Sequence, residues 1–379
     1  MIPTRLLSLS FVLLSSSLSL YAQTPQPGTT KDDEGVVKAG LKDPFTGGDE
    51  KLMKQLGVVA YGPLVWADDL RTGQIDKVLG EKRIIWMETE HFQFAFNFST
   101  APVPEDAEAR KIVNAELARL NKKCNKLPAR ASKIETWVRL HLYAMRAEEL
   151  YADFAKLVGH DDASGTCLGQ KGKFPILLFQ KKSDLARYLD RFCGIKSETP
   201  MRHYYNKTGQ NGLALSAEAE EVRDEAFVYA QFRNLLVETF CSANGGAPRW
   251  LSVGLAHWYE RKIPSRVIMA AIKDGESVDV HTQHLWHDKM KNRAQHEKLL
   301  VPFAEFSGKV DFGYYDHLQA WSRVDWLLTT DREKFGKFMA ELKNGYSSQR
   351  QIEALQTVYG MEPEVFDAKW REWVLKTYK

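Results

Sequence analysis

The sequence has little cysteine and almost no excess of either charge. Its 379 residues include 4 cysteines and no C-x-x-C pair, which is too few for a scaffold built on disulfides. The formal net charge is +3, from 52 Lys and Arg residues against 49 Asp and Glu residues. Nucleic-acid and anionic-membrane binders usually carry a basic excess, so we expect neither kind of partner. With 44% hydrophobic and 27% charged residues, the chain is typical of folded globular proteins.

The sequence also lacks the short motifs of nucleotide-binding proteins and of serine hydrolases. It contains no G-x-x-x-x-G-K-[ST] and no G-x-G-x-x-G that links a strand to a helix. The stretch W-L-S-V-G around Ser252 lacks the first glycine of the G-x-S-x-G elbow, because Trp250 occupies that position. Neither class of function is therefore supported.

The first 22 residues are predicted to be an export signal. Arg5 precedes an apolar, serine-rich run from Leu6 to Leu20, and Ala22 is the small residue at the expected cleavage point. The run is short and diluted by serine for a membrane span, so an uncleaved anchor is only the alternative. We therefore expect a periplasmic or secreted mature protein with no membrane contact beyond its signal peptide.

The rest of the chain divides into a predicted linker and one predicted domain. Residues 23–50 are rich in Pro, Gly, Thr and charge, which is typical of a flexible linker. Residues 51–379 are predicted to form an α+β domain with a small mixed or antiparallel sheet, followed by mainly helical chain. Strands or hairpins are expected at 84–98, 174–179 and 202–216, the last with its turn at 209–212. Helices are expected at 104–125, 131–158, 182–193, 217–243, 249–261, 315–329, 331–343, 348–358 and 363–378.

The most informative segment is 231–262, QFRNLLVETFCSANGGAPRWLSVGLAHWYERK. It predicts a helix, a glycine-containing loop, and a second helix that begins with P-x-W-L-S-x-G-L-A. This arrangement resembles the gluzincin (thermolysin-like, peptidase MA-like) zinc metallopeptidases of exported bacterial proteins. In that family the first helix carries H-E-x-x-H, and the second carries a W-L-x-E-G-x-A element. The resemblance is weaker over residues 84–378 and implies a gluzincin-like domain.

Zinc-dependent peptide hydrolysis in this family requires three protein side chains that bind the metal, and this sequence retains none of the three. Two His residues at i and i+4 and a Glu from the next helix bind the metal, while the Glu of H-E-x-x-H accepts a proton from bound water. In this sequence Val237, Cys241 and Val253 occupy the three ligand positions, and Glu238 keeps the general-base position. Valine has no atom that can bind a metal, and Cys241 alone does not make a site. The resemblance therefore implies an inactive pseudoenzyme without a cofactor.

The former active-site cleft is expected to keep a binding role. Trp250 belongs to the matching scaffold, His257 lies one helical turn after Val253, and Glu260 lies nearby. We predict that these side chains line the cleft beside an edge strand within 202–216. Such a strand can bind a peptide, a protein segment or another extended ligand by strand addition.

Several alternatives remain open at this stage. Glu238 is also explained as a solvent-facing or salt-bridged carboxylate left on the helix. Cys241, His257 and either Glu238 or Glu260 form a second conceivable zinc set, which would make the protein an active metal-dependent peptidase or hydrolase. A structural envelope protein is a further alternative. Tyr314, Tyr315 and His317 fall near the helix start at which family members often place a tyrosine that assists the oxyanion, and the sequence does not choose among them.

A second group of histidines could also bind a metal. His281, His284 and His287 form H-x-x-H-x-x-H. Imidazoles three residues apart can share a metal on a helix, although the third drifts off that face. The group predicts a surface zinc, copper or nickel site or, alternatively, a polar loop or helix end.

Export would place the four cysteines where disulfides are permitted. Sequence alone allows three pairings of four cysteines. We favour Cys167 with Cys193, because they flank the predicted strand 174–179 and the helix after it. Cys241 is then reduced or paired with Cys124.

Overall fold

A mixed β-sheet lies at the centre of the protein, in a computed structural model that describes residues 42–80, 84–218, 225–263 and 285–379. The strands within these ranges are β1 (Ala60–Tyr61), β2 (Val65–Trp66), β3 (Leu70–Arg71), β4 (Ile85–Glu88), β5 (Phe92–Phe96), β6 (Ala101–Pro102), β7 (Lys133–Ile134), β8 (Phe174–Phe179), β9 (Met201–Tyr205) and β10 (Gln210–Ser216). The central sheet has six strands in the order β1-β4-β5-β8-β10-β9. The pairs β2–β3 and β6–β7 form two small sheets.

The helices of the described ranges lie mostly after the strands along the chain. They are α1 (Glu50–Leu56), α2 (Thr72–Leu79), α3 (Ala107–Lys123), α4 (Thr136–Val158), α5 (Lys182–Tyr188), α6 (Glu225–Ala243), α7 (Arg249–Glu260), α8 (Trp286–Gln295), α9 (Phe303–Phe306), α10 (Tyr314–Thr330), α11 (Arg332–Glu341), α12 (Ser348–Tyr359) and α13 (Pro363–Thr377). The predicted α+β class, with a small mixed sheet and a helical C-terminal region, is confirmed. Within the described ranges, no helix combines the length and apolar character that crossing a membrane requires.

The sheet is parallel at its centre and antiparallel at its sides. Strand β8 pairs in parallel with β5 and β10, whereas β1, β4 and β9 join by antiparallel pairing. All six residues of β8 are buried, as expected for a central strand that is covered on both faces. Strand β9 stands at one edge of this sheet.

Alternation along the strands separates two hydrophobic clusters, one on each face of the sheet. Ile176 and Leu178 of β8 belong to the larger cluster, together with α4, α6, α7 and the C-terminal helices. Leu177 and Phe179 belong to the smaller cluster, with residues of α2 and α5. Successive strand side chains point to opposite faces, so the one strand contributes to both clusters.

The predicted disulfide between Cys167 and Cys193 is wrong, because all four cysteines are free. Cys167 packs against the larger cluster and Cys193 against the smaller one, so the sheet lies between them. Proximity in sequence to one strand did not reveal that the two thiols lie on opposite faces of the sheet.

The predicted hairpin at 202–216 is confirmed as β9 and β10, although its turn lies at 206–209 and not at 209–212. Gly212 is inside β10, where an added Cβ would lie 2.4 Å from the Pro175 carbonyl oxygen of β8. The turn is held by Asp68, whose Oδ1 accepts hydrogen bonds from the backbone N–H groups of Lys207 at 2.9 Å and Thr208 at 3.1 Å. Asp68 has a φ of 57°, in the left-handed region that aspartate adopts more readily than most non-glycine residues.

The part of the predicted linker from residue 42 onward is ordered. Asp43 is buried, and its carboxylate contacts His141 Nε2 of α4 at 3.2 Å and accepts a hydrogen bond from the Tyr61 hydroxyl at 2.6 Å. Thr46 is buried beside it. These residues therefore belong to the folded domain, and its start lies before the predicted residue 51.

The last four predicted helices match α10 to α13 within two residues at each end. Helix α4 begins five residues later than predicted, because 133–134 form β7 and pair with β6. For the helix predicted at 217–243, the structure describes α6 from Glu225, and residues 219–224 lie outside the described part.

Candidate functional site

Helices α6 and α7 pack face to face, in the region that the resemblance identifies as the former active site. Glu238 of α6 meets Arg249 at the first residue of α7, whereas Asn234, one turn earlier in α6, meets Glu260 at the end of α7. The two helices are therefore antiparallel. Val253 lies one turn after Arg249 on the same face, so it points toward α6.

Glu238 is buried and is held by two arginines. Its Oε2 lies 3.2 Å from Nη2 of Arg202 in β9 and 3.3 Å from Nη1 of Arg249. The carboxylate side chain is 3% exposed, whereas the two arginine side chains are 23% and 21% exposed. Glu238 is thus a salt-bridged carboxylate, as the alternative interpretation of the sequence had it.

The three positions that correspond to zinc ligands are all buried in the larger hydrophobic cluster. Val237 and Val253 contribute only hydrocarbon there. Burial raises the pKa of the Cys241 thiol, and the nearby charge of Glu238 raises it further. A protonated thiol is a poor metal ligand, because the thiolate is the form that binds.

The predicted cleft residues are interior, so the expectation that they line an accessible cleft is corrected. Trp250, His257 and Glu260 are each at most 1% exposed. The indole N–H of Trp250 donates to Gln351 Oε1 of α12 at 2.8 Å, which ties the start of α7 to the C-terminal helices. Further along α7, helix α10 covers His257.

Gly254 is the reason that α7 and α10 can approach so closely. A Cβ on this glycine would lie 2.5 Å from the Ala320 carbonyl oxygen of α10. A carbon and an oxygen that are not bonded cannot lie this close together, so a side chain at this position would force one helix to move. The glycine of the predicted P-x-W-L-S-x-G-L-A element thus serves helix packing here.

A second, buried polar cluster connects α6, α7 and α10. His257 Nδ1 and Asn234 Nδ2 each lie 2.8 Å from Glu260 Oε2, and His257 Nε2 lies 3.0 Å from His317 Nδ1 of α10. Burial lowers the pKa of His257 well below its usual value, and it lowers the pKa of His317 to about 3. Both imidazoles are therefore neutral near pH 7.

The hydrogen bonds then have one consistent direction. A Glu260 carboxylate accepts from His257 Nδ1–H, so His257 Nε2 accepts from His317 Nδ1–H. His317 Nε2 is left buried without a hydrogen-bond partner. Of the second conceivable zinc set, His257 and Glu260 contact each other in this cluster. Glu238 is paired with arginines, and Cys241 lies in the larger hydrophobic cluster.

The structure brings no metal site together in the residues that it describes. No group of three or more His, Cys, Asp or Glu side chains in those ranges is arranged to hold a metal ion. His281 and His284 lie outside the described residues. His287 belongs to α8, where it packs edge-on against the rings of Trp321 and Tyr378.

The edge strand β9 passes beside this region. Arg202 Nη1 donates to Ser242 Oγ of α6 at 3.0 Å, so its side chain points toward that helix. Tyr204, two residues later, is 52% exposed. The roles of Arg202, Arg249 and Asn234 could not be predicted from the sequence, because they depend on contacts between elements. Only the position of Arg249 directly after the Pro248 that begins the matching element could have suggested it.

Comparison with known proteins adds no relative to this description. A scan against protein-family models finds no match, and neither does a search of curated proteins. The gluzincin resemblance therefore remains a prediction that rests on the residues of α6, α7 and the loop between them.

Proposed function

We propose that the protein is an exported, catalytically inactive relative of the gluzincin peptidases that binds peptides in extended form along β9. One observation carries the proposal: the buried carboxylate of Glu238 is shared by one arginine from β9 and one from α7. The position that would activate water in a peptidase is thus used to join the edge strand to the helix pair.

The contacts of Glu238 argue against a role as general base. A general base must have an oxygen free to take a proton from water within hydrogen-bond reach. Glu238 Oε2 is engaged by two guanidinium groups and is therefore not available for that role. Val237 and Val253 supply no lone pair for a metal that could activate that water.

The position of β9 supports peptide binding. It has a strand neighbour only on its β10 side within the described residues, so backbone groups along its other side can pair with an added strand. Its side chains Arg202 and Tyr204 provide a cation and an exposed aromatic ring on one face. Both groups are common at peptide-binding surfaces.

Metal analysis tests the inactive state. We expect the purified protein to contain no stoichiometric zinc and to leave fluorogenic peptides uncleaved after zinc is added. Tightly held zinc with peptidase activity that is lost in Glu238→Gln would overturn the proposal.

Peptide binding is tested with a synthetic pool of random eight-residue peptides, from which bound members are identified by mass spectrometry. A recovered peptide is then made with N-methyl groups at its odd or at its even positions. Since alternate N–H groups of an added strand face β9, one of these two peptides should bind about tenfold more weakly or worse. Equal binding of both would exclude strand addition, and an empty pool would contradict the proposed function.

A further inference from the structure

A surface cavity lies where α8, the start of α10 and the short 3₁₀ turn Glu297–Leu299 meet. Its volume is about 320 Å³, which falls in the range of sites for small molecules. Apolar, aromatic and charged side chains all contribute to its lining. This mixture allows the class of molecule that fits the cavity to be inferred.

Helix α8 holds two cations in the wall of the cavity. The buried face of this helix consists of Trp286, Met290 and Ala294. Lys289 and Arg293 are one helical turn apart beside that face, and both line the cavity. Lys289 Nζ donates to the Tyr314 hydroxyl at 3.1 Å, so it has donors left for a further acceptor.

Arg293 lacks a carboxylate partner within the part of the chain that the structure describes. Its Nη2 donates to the Leu299 carbonyl oxygen, and its Nε is buried without a hydrogen-bond partner. Burial lowers the pKa of Arg293, although the nearby Tyr315 and Asp316 oppose this effect. The guanidinium has therefore lost hydration that its neighbours replace only in part.

The acids of the surrounding elements do not neutralise these cations. Asp316 of α10 pairs with Lys309 Nζ at 2.8 Å, and a Glu297 carboxylate oxygen lies 3.6 Å from Arg371 Nη1 of α13. Asp288 lines the cavity, and its side chain is exposed. It forms no ion pair with either cation in the described ranges, but it repels negative charge on a ligand beyond what the cations attract.

The rest of the lining is largely apolar. Leu285, Leu299 and Tyr315 are all exposed at the surface of the free protein. The Arg293 guanidinium lies over the Tyr315 ring, 4.3 Å from its centre. An apolar group that covers the leucines and the ring gains the free energy of their burial, while a negative charge beside it can pair with the cations.

We propose that this cavity binds a small monocarboxylate with an apolar body, whose carboxylate accepts hydrogen bonds from Arg293 and Lys289. The apolar body packs against Leu285, Leu299 and Tyr315. A phosphate monoester fits less well, because it carries nearly two negative charges at neutral pH and Asp288 repels the second one. The site uses no residue of β9, so it is independent of the peptide binding proposed for that strand.

The test titrates the full chain with 3-phenylpropionate in an isothermal calorimeter. We expect it to bind about tenfold more tightly than 3-phenylpropanamide, which lacks the charge. Acetate, which lacks the apolar body, should also bind about tenfold more weakly or worse. Phenyl phosphate should bind more weakly than 3-phenylpropionate. In Arg293→Gln the acid and its amide should bind equally.

A matched control lies on the same helix. Lys291→Gln removes one positive charge from α8 at a position outside the cavity lining, so it should keep the full preference for the acid. Lys289→Gln is a second variant that leaves the Arg293 contact with Leu299 intact, and it should weaken binding of the acid but not of the amide. Circular dichroism and thermal unfolding establish which variants are folded.

Several outcomes would overturn the inference. One is a failure of 3-phenylpropionate to bind at millimolar concentration, and another is equal affinity for the acid and its amide. A full preference that persists in both Arg293→Gln and Lys289→Gln would exclude these residues as the binding groups. Loss of the preference in Lys291→Gln would mean that surface charge alone attracts the anion. Tighter binding of phenyl phosphate would contradict the choice of a monocarboxylate.

Discussion

Two polar clusters bridge α6 and α7, and they differ in their access to water. At Glu238 the carboxylate is buried, but the arginines that hold it are partly exposed. Around Glu260, by contrast, the side chains of Asn234, His257 and His317 are all at most 1% exposed. The first cluster keeps charged donors at the surface, where a ligand can reach them. The second has no such access and holds three helices together.

The largest expected difference between the clusters concerns stability. His257→Leu removes the donor to Glu260 and the acceptor of His317, so it leaves a buried carboxylate short of a partner. We expect the free energy of unfolding to fall by about 4 kcal/mol, or about 2 kcal/mol for each of the two buried groups that lose a hydrogen bond. Arg249→Gln should cost less than about 1 kcal/mol, because the site is partly exposed and Arg202 still pairs with Glu238. Urea unfolding measures both, and equal losses would refute the distinction between the two clusters.

Acid should destabilise the buried cluster. Burial, and then the charge of Arg249, lower the pKa of His317 from 6.5 to about 3, whereas the adjacent Asp316 opposes this effect. Below pH 6.5, His317 binds a proton in the unfolded chain but not in the folded protein. Its contribution to the free energy of unfolding is therefore fully present above that pH and declines below it. The decline is about 1.4 kcal/mol per pH unit, or about 3 kcal/mol by pH 4. Arginines do not titrate in this range.

The acid effect is measured as the urea midpoint between pH 7 and pH 4. His317→Gln should show a shallower decline than the unchanged protein. His91 should contribute to the pH dependence of stability in the opposite direction. Although burial favours its neutral form, the hydrogen bond and charge of Glu148 raise its pKa. Its contribution is present at low pH and is lost as pH rises through that raised value. The same decline in the unchanged protein and in His317→Gln would contradict the prediction.

The smallest of the three expected losses of stability concerns the close contact between α7 and α10 beside the buried cluster. Gly254→Ala would place a Cβ 2.5 Å from the Ala320 carbonyl oxygen, so α7 and α10 must separate. We expect a loss of about 2 kcal/mol in the free energy of unfolding. Gly73→Ala in α2 is the matched control, because its added Cβ meets no atom within 4 Å and should be neutral or slightly stabilising. A tolerated Gly254→Ala would mean that α7 and α10 do not need this contact.

Local patterns predicted most of the fold. The C-terminal helices follow from the spacing of their apolar residues, and β8 from a short run of buried residues between turn signals. Order from residue 42 could not be foreseen, because Asp43 is held by His141, 98 residues away. A polar, glycine-rich composition indicates that a segment is flexible in isolation, but it does not reveal long-range contacts that order the segment.

The candidate site was predictable in its positions but not in its environment. Spacing placed Glu238, Val253 and His257 on facing sides of two helices. Whether His257 lines an open cleft depends on how closely α10 covers α7, and this depends on a contact between Gly254 and Ala320. Arg202 could not be identified at all, since nothing in β9 alone indicates that it reaches a carboxylate 36 residues later.

The hydrogen bonds from the β9–β10 turn to Asp68 have a consequence for ligand binding. They fix the hairpin without help from any ligand, since β9 is already paired with β10 and the turn is already bound to Asp68. Under the proposed function, a peptide would meet a hairpin backbone that is already ordered, so most of the loss of backbone conformational entropy falls on the peptide. Peptides that are already extended, or are stiffened by β-branched residues, would then have an advantage that owes nothing to the contacts they make.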